Sequence, residues 1–356
     1  MVVIKSRDQR FNDNDVKRVV SSAAAKLGGV KKMFILGLMY GAQENEHNVR
    51  IMLKYLNLSC LQVTYSCDMK MDYYLLGKGG GNHKFNCIFC EGTSPWLIFA
   101  ALLTLGRLAE CLAKFVETGE DMDKAKTDEI RSVVNSALLH YPPETLVIDI
   151  INIPSLHILL GVVAKLVEYM EKAIGAGGKD WICSYLSAIH VTLSNYQGRS
   201  SLDGNACRNV LKKTIMLEEK VSSLPATVSA AAVEKVKDTI KVLAAFDVVV
   251  HRCWGMTLKG DYKEAINVFC RMYRALPGIT FPPKFHIVEK EVVTFLERKQ
   301  AKGYTNHGLG FWAEQTYEAG HHDFKERWNK QSYGANHPLF GQHLLDVVCD
   351  YNAGHV

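Results

Sequence analysis

The sequence predicts an α/β front portion followed by a predominantly helical remainder, and three observations carry that expectation. Short apolar runs at 31–39 and 61–65 stand between helix-like segments in the first part of the chain. Beyond Pro95 the apolar residues recur at helical spacing instead. Pro142-Pro143, Gly175-Ala-Gly-Gly178, Pro277-Gly278 and Pro282-Pro283 punctuate that pattern into separate helices.

Taken in order, residues 14–27 suit a helix, and 31–39 is an apolar run of the kind found in buried strands, ended by Gly41. Residues 44–56 place Val49, Met52, Leu53 and Leu56 on one helical face that can lie on a sheet. The β-formers of 61–65 read as the next strand, which sets Asp68 just past a strand end. Four glycines within five positions then make 77–83 a flexible connector rather than a phosphate loop, because GxxxxGK[ST] is absent. Helices are expected near 96–117, 123–140, 155–175, 181–193, 206–220, 228–248 and 259–275, then at 284–299 and 309–328. The implied organisation is a core begun by 1–93, a helical insertion over 94–283, and C-terminal helices over 284–356 that return to complete the core.

A chain of 356 residues, 48% hydrophobic, can bury the core of one large domain or two ordinary ones. Its net charge of +5 permits contact with phosphate backbones without demanding it. The opening residues turn charged too soon for a signal peptide. The apolar run from Trp96 to Gly106 falls short of the roughly 20 residues of a membrane span. A soluble protein of the nucleus or cytoplasm is expected, with no membrane partner. Ten cysteines contain a single CxxC, which suits reduced thiols and one metal site better than a disulfide framework.

Chemistry concentrates in two segments, Tyr65-Ser-Cys-Asp68 with Cys87-Ile-Phe-Cys90, and Gly310-Phe-Trp-Ala-Glu314 through Glu318 to Phe324. Two-metal phosphodiester cleavage needs carboxylates, since Mg2+ prefers hard oxygen ligands. Glu314, Glu318 and His322 share one helical face, with His321 and Lys325 nearby. The same spacing also fits a solvated face with ordinary ion pairs. Cys87 and Cys90 supply either two ligands of a structural zinc, with His83 or His286 available to complete it, or two buried thiols. HExxH, GxSxG and a strand-borne Rossmann fingerprint are all missing, and His157 lies in an apolar helix as a core histidine.

The order Asp68, Cys87-x-x-Cys90, His286, Gly310-x-Trp-x-Glu-x-x-x-Glu318 resembles the Transib transposases, the group that includes the catalytic subunit of the V(D)J recombinase. Pro154-Ser-Leu-His157-Ile-Leu-Leu-Gly161 and Asp203-Gly-Asn205-Ala-Cys-Arg208-Asn-Val-Leu are also similar, and invertebrate proteins derived from mobile elements resemble the chain more closely still. The likeness runs from about Met33 to Leu345.

This resemblance implies an RNase H-like core with a large helical insertion, and a DDE DNA recombinase using Mg2+ or Mn2+. Asp68 would match the second catalytic aspartate and Glu318 the catalytic glutamate. From their position just after Glu318, rather than from the resemblance, Lys325 and Arg327 are expected to contact phosphate. Cys87, Cys90 and His286 would match structural zinc ligands. The family's last ligand, a His five positions after the third, is Glu291 here. DNA as substrate and a homodimer follow from the same likeness. The chain departs from it upstream, because the 67 residues before Asp68 offer only Asp8, Asp13 and Asp15, in a polar stretch, where the family has its first aspartate on a strand. A fragment of a longer transposase, or a domesticated non-catalytic protein that binds DNA or a protein partner and keeps its zinc, are the alternatives.

Overall fold

The computed structural model describes residues 64–67, 69–79, 85–93, 100–139, 141–196 and 199–313, with 326, 329–330, 337–339 and 346–347 beyond them. Thr64–Ala313 is one compact unit, and Met1–Val63 with Glu314–Val356 is a second. In the second, Glu326 and Lys330 face each other at 3.8 Å and Val347 is buried.

The first unit is built mainly of helices: α1 Met69–Leu75, α2 Leu105–Glu117, α3 Val147–Ile150, α4 Ser155–Ile174, α5 Gly178–Ala188, α6 Gly204–Lys212, α7 Thr214–Lys220, α8 Ala230–Cys253, α9 Tyr262–Ala275, α10 Pro283–His286, α11 Val292–Ala301 and α12 Leu309–Trp312. A short hairpin, β1 Ser194–Tyr196 and β2 Arg199–Ser201, separates α5 from α6. Local chemistry sets where the helices begin. Thr104 Oγ1, Asp203 Oδ1 and Ser229 Oγ each accept from the backbone N–H three residues on, at 3.0, 2.8 and 3.2 Å, so the first turns of α2, α6 and α8 are capped. Pro283 occupies the first turn of α10, where its missing N–H costs nothing.

α4, α8 and α9 carry the apolar core. Leu159, Val162, Val163, Leu166 and Met170 recur along α4 with no exposed surface, and Val236, Leu243, Phe246 and Val249 do so along α8. Phe246 meets Phe269 of α9 at 4.8 Å between centroids, and Phe269 approaches Phe285 of α10 at 6.0 Å. Tyr273 stacks on Phe285 at 4.2 Å. Each such ring contributes about 1.5–3 kcal/mol by leaving water. Phe285 is therefore fixed from two sides, and the next residue is His286.

The expected α/β core of the RNase H-like kind is not found. That fold needs a central β-sheet, and among the described residues the only paired strands are the β1–β2 hairpin. Tyr65, the end of the expected strand, makes a single parallel bridge to Ile151, after which the chain turns into α1. Just before that bridge partner, Val147–Ile150 winds into the single turn of α3, with Val147, Ile148 and Ile150 buried. The expected strand at 31–39 and the helices at 14–27 and 44–56 lie outside the described residues.

Two predicted helices are also corrected. Residues 101–104 are extended, because Leu102 bridges to Cys90 and Thr104 to Leu146, and the helix starts only at Leu105. Over 123–140 the helical content among the described residues is one 3-10 turn, Lys124–Lys126. There Arg131 and Ser132 take φ of 53° and 62°, a left-handed backbone that ends any α-helix. The helices from 155 to 299 keep their approximate places, with 206–220 divided at Lys213 and the one expected at 181–193 found at Gly178–Ala188. The helix expected at 309–328 is cut short, because α12 ends at Trp312 and Ala313 is extended at φ −72° and ψ 145°, while 314–325 lie outside the described residues.

Candidate metal centre

The loop around Cys87 and Cys90 has little regular structure, and its carbonyls are tied one by one. Tyr73 Oη donates to the Asn86 carbonyl at 2.8 Å, Lys78 Nζ to that of Cys87 at 2.5 Å, Leu103 N–H to that of Phe89 at 2.9 Å, and Arg131 Nη1 to that of Glu91 at 2.6 Å. This accounting matters because the loop is buried and unpaired peptide groups there would cost free energy. The loop's two sulfurs face inward. The Phe89 N–H donates to Cys87 Sγ at 3.4 Å and the Gly92 N–H to Cys90 Sγ at 3.3 Å, bonds that favour thiolate over thiol.

The other half of the centre comes from the helix after Pro282. His286 and Glu291 are five residues apart, a separation that sets them about 140° apart around an α-helix. Between them the helix widens into a π turn over Ile287–Glu291, closed by the Val292 N–H donating to the Ile287 carbonyl. The i→i+5 bonding widens the turn and so narrows that angle. Both side chains thus face the cysteine loop, with His286 Nε2 3.7 Å from Glu291 Oε1 and 3.2 Å from Cys90 Sγ. The outer flank of this turn is clamped by Arg274, whose Nε and Nη2 donate to the Glu289 carboxylate at 2.5 and 2.7 Å.

Cys87, Cys90, His286 and Glu291 are all buried, and their donor atoms lie within 4.8 Å of one another. Two sulfurs, an imidazole nitrogen and a carboxylate oxygen so gathered can hold a metal ion. A four-coordinate ion with bonds of about 2.0–2.3 Å spaces its donors about 3.3–3.8 Å apart, near the 3.2 and 3.7 Å that separate His286 Nε2 from Cys90 Sγ and Glu291 Oε1. Gly92 keeps the space clear, since a Cβ there would stand 3.1 Å from Cys90 Sγ and 3.5 Å from His286 Nε2.

The electrostatics agree with a cation site. Burial opposes ionisation of Cys87, yet hydrogen bonds from Cys90 and His286 and the nearby imidazole charge hold its thiol well below the usual range. Cys90 is pushed up by its bond to Cys87 and by burial, so one thiolate forms readily and the second needs a further positive charge. Burial together with the Cys87 charge raises Glu291 to about 7. Burial lowers Lys78 to about 8 while the sulfurs of Cys87, Cys90 and Cys111 pull it upward.

Of the residues expected to do chemistry, these four ligands are brought together. Asp68, Glu318, Lys325 and Arg327 lie outside the described residues, as do His83, Glu314, His321 and His322. Within the first unit, Asn152 Nδ2 donates to Ser66 Oγ at 2.8 Å and Ser66 Oγ donates to the Trp312 carbonyl at 2.8 Å.

Sequence reasoning missed Lys78, because it sits in the glycine run read as a flexible connector. In the structure the start of that run is built into the unit. The Val134 and Asn135 N–H groups both donate to the Gly77 carbonyl, at 2.9 and 3.1 Å, and Lys78 bridges to Val133. Gly77 takes φ 67° with the Asn135 carbonyl 2.0 Å from where a Cβ would stand. Residues 80–83 of the run lie outside the described residues. Compared with protein-family models and with curated proteins, the chain matches none. Among the described residues no helix is long and apolar enough to cross a membrane.

Proposed function

We propose that this protein is a DNA transposase or recombinase of the Transib type, held together by a structural zinc ion and using Asp68 and Glu318 for metal-dependent strand cleavage and transfer. The observation that carries the reading is the metal centre. Cys90 and His286 are 196 residues apart in sequence, yet they meet with Cys87, and the fourth ligand falls at the position the resemblance gives for the last one. Zinc suits two thiolates, an imidazole and a carboxylate. Four buried ligands with no open position suit a structural rather than a catalytic ion.

In this reading Asp68 and Glu318 hold Mg2+ or Mn2+, which when bound stabilises the attacking and leaving oxygens of a phosphodiester. Lys325 and Arg327 contact the phosphate backbone, and the protein works in the nucleus as a homodimer on paired DNA ends. A second reading, a non-catalytic descendant that binds DNA or a protein partner, is favoured by one observation. The aspartates that precede Asp68 in the sequence, Asp8, Asp13 and Asp15, all lie in a polar stretch.

The full chain, incubated with supercoiled plasmid and Mn2+, separates the two. The leading reading expects nicking that Asp68→Asn and Glu318→Gln abolish while leaving zinc content unchanged. DNA binding without metal-dependent nicking supports the second reading. Neither binding nor nicking overturns the leading reading and the DNA-binding form of the second, and leaves a protein partner as its only form.

A further inference from the structure

The metal centre carries a charge imbalance that its ligands do not resolve. Two thiolates and the Glu291 carboxylate bring three negative charges to a divalent ion, leaving one surplus negative charge among four buried residues. With a histidine in place of Glu291 the same site would be neutral. An uncompensated charge away from water is costly, so a centre with this ligand set needs a buried cation beside it.

We propose that Lys78 is that cation, a counter-charge that lets this chain bind a divalent metal through Cys87, Cys90, His286 and Glu291. The inference rests on the zinc reading and adds to it a residue outside the ligand set.

Geometry singles Lys78 out. Among the described residues two lysines are buried, Lys78 and Lys299. Lys299 lies over the Phe295 and Trp312 rings, at 4.9 and 4.4 Å. Lys78 instead reaches the cysteine loop and donates to the carbonyl of Cys87, a ligand itself, at 2.5 Å. Other cations near the loop have carboxylates of their own. Arg107 and Arg131 both pair with Glu91, at 3.3 and 3.4 Å, and Lys290 pairs with Glu289 at 3.8 Å on the outer flank. The buried acid closest to Lys78 in sequence, Asp72, accepts from Cys67 Sγ at 2.9 Å. The backbone of Lys78 is pinned as well, by its bridge to Val133 and by its N–H donating to the Tyr73 carbonyl at 2.9 Å. Its ammonium is thus delivered to the centre by structure on both sides.

A mutant cycle tests this through metal affinity. Zn2+ binding is measured by competition with a chromophoric chelator, and Co2+ binding by its thiolate charge-transfer band. Lys78→Gln keeps a donor for the Cys87 carbonyl and removes the charge, and should weaken Zn2+ binding about tenfold, as loss of a supporting group around a metal typically does. Lys78→Arg should retain affinity. In the Glu291→His background, where the site is neutral, Lys78→Gln should cost little.

Equal losses in both backgrounds would overturn the counter-charge role, leaving Lys78 as a structural hydrogen-bond donor. An unchanged affinity in Lys78→Gln would overturn it as well. If the unmodified chain binds neither Zn2+ nor Co2+, the zinc reading itself falls, an outcome distinct from both.

Discussion

Around Phe246, side chains of α4, α8 and α9 interlock through apolar contact, each of them sharing its burial with several neighbours. Around Cys90, by contrast, the loop at 85–92 has no helix or extended strand of its own: it buries Phe85, Ile88 and Phe89, and single hydrogen bonds and a bridge to Leu102 tie its backbone. The first region spreads its stability over many weak, non-directional contacts. The second adds to its buried side chains a set of directional contacts, where loss of one partner leaves a buried polar group unsatisfied. That difference teaches where a metal ion would add most. A helical core follows from periodicity, whereas an irregular buried loop depends on partners supplied one at a time from distant segments.

The largest expected effect comes from breaking the metal centre. Cys87→Ser or His286→Ala should abolish stoichiometric zinc, for which the binding free energy in structural sites is on the order of 10 kcal/mol. Hydrogen exchange should then show protection lost at 85–92 and kept in α8 and α9. Equal loss in both would show that the two regions do not stand apart.

Next comes the helical core. Phe269→Ala, which removes a fully buried ring in contact with Phe246, Tyr273 and Phe285, should destabilise by about 3–5 kcal/mol in urea unfolding. Its native state should still bind one zinc. A variant that loses zinc before it unfolds would tie the centre to the core more closely than the contrast allows.

The smallest effect belongs to an ion cluster that joins α3 to α11. Arg298 Nε and Nη2 donate to Asp149 at 2.9 and 2.6 Å, and Lys302 Nζ stands 3.0 Å away. Burial works against the Asp149 carboxylate, but these cations hold it below its ordinary value of 3.8. A carboxylate with a depressed folded pKa contributes stability that is present above its unfolded value and is lost as pH falls through the folded one. Asp149→Asn should therefore lower the melting temperature slightly at pH 7, and the gap should close below pH 3.8. A gap that persists in acid would mean the loss is one of packing rather than charge.

How much of this was legible in the sequence differs between the regions for the same physical reason. The helices from Ser155 to Ala275 follow from local spacing and caps such as Asp203 and Ser229, which need no distant partner. The expected sheet is not found because pairing is a long-range property: the β-formers of 61–65 end in a single bridge from Tyr65 to Ile151, and the chain then winds into α1. The predicted helix over 123–140 failed because Val133 is claimed by Lys78 from across the unit.

Sequence by itself determined the chemistry offered to the metal, two sulfurs, an imidazole and a carboxylate, and the helices that carry half of it. Only the tertiary structure decided that these donors converge, that a π turn puts His286 and Glu291 on one side, and that Lys78 is buried against Cys87 rather than left in a mobile connector. Residue type and periodicity are local properties. Burial, register and charge balance are set by which distant segments come to exclude water together.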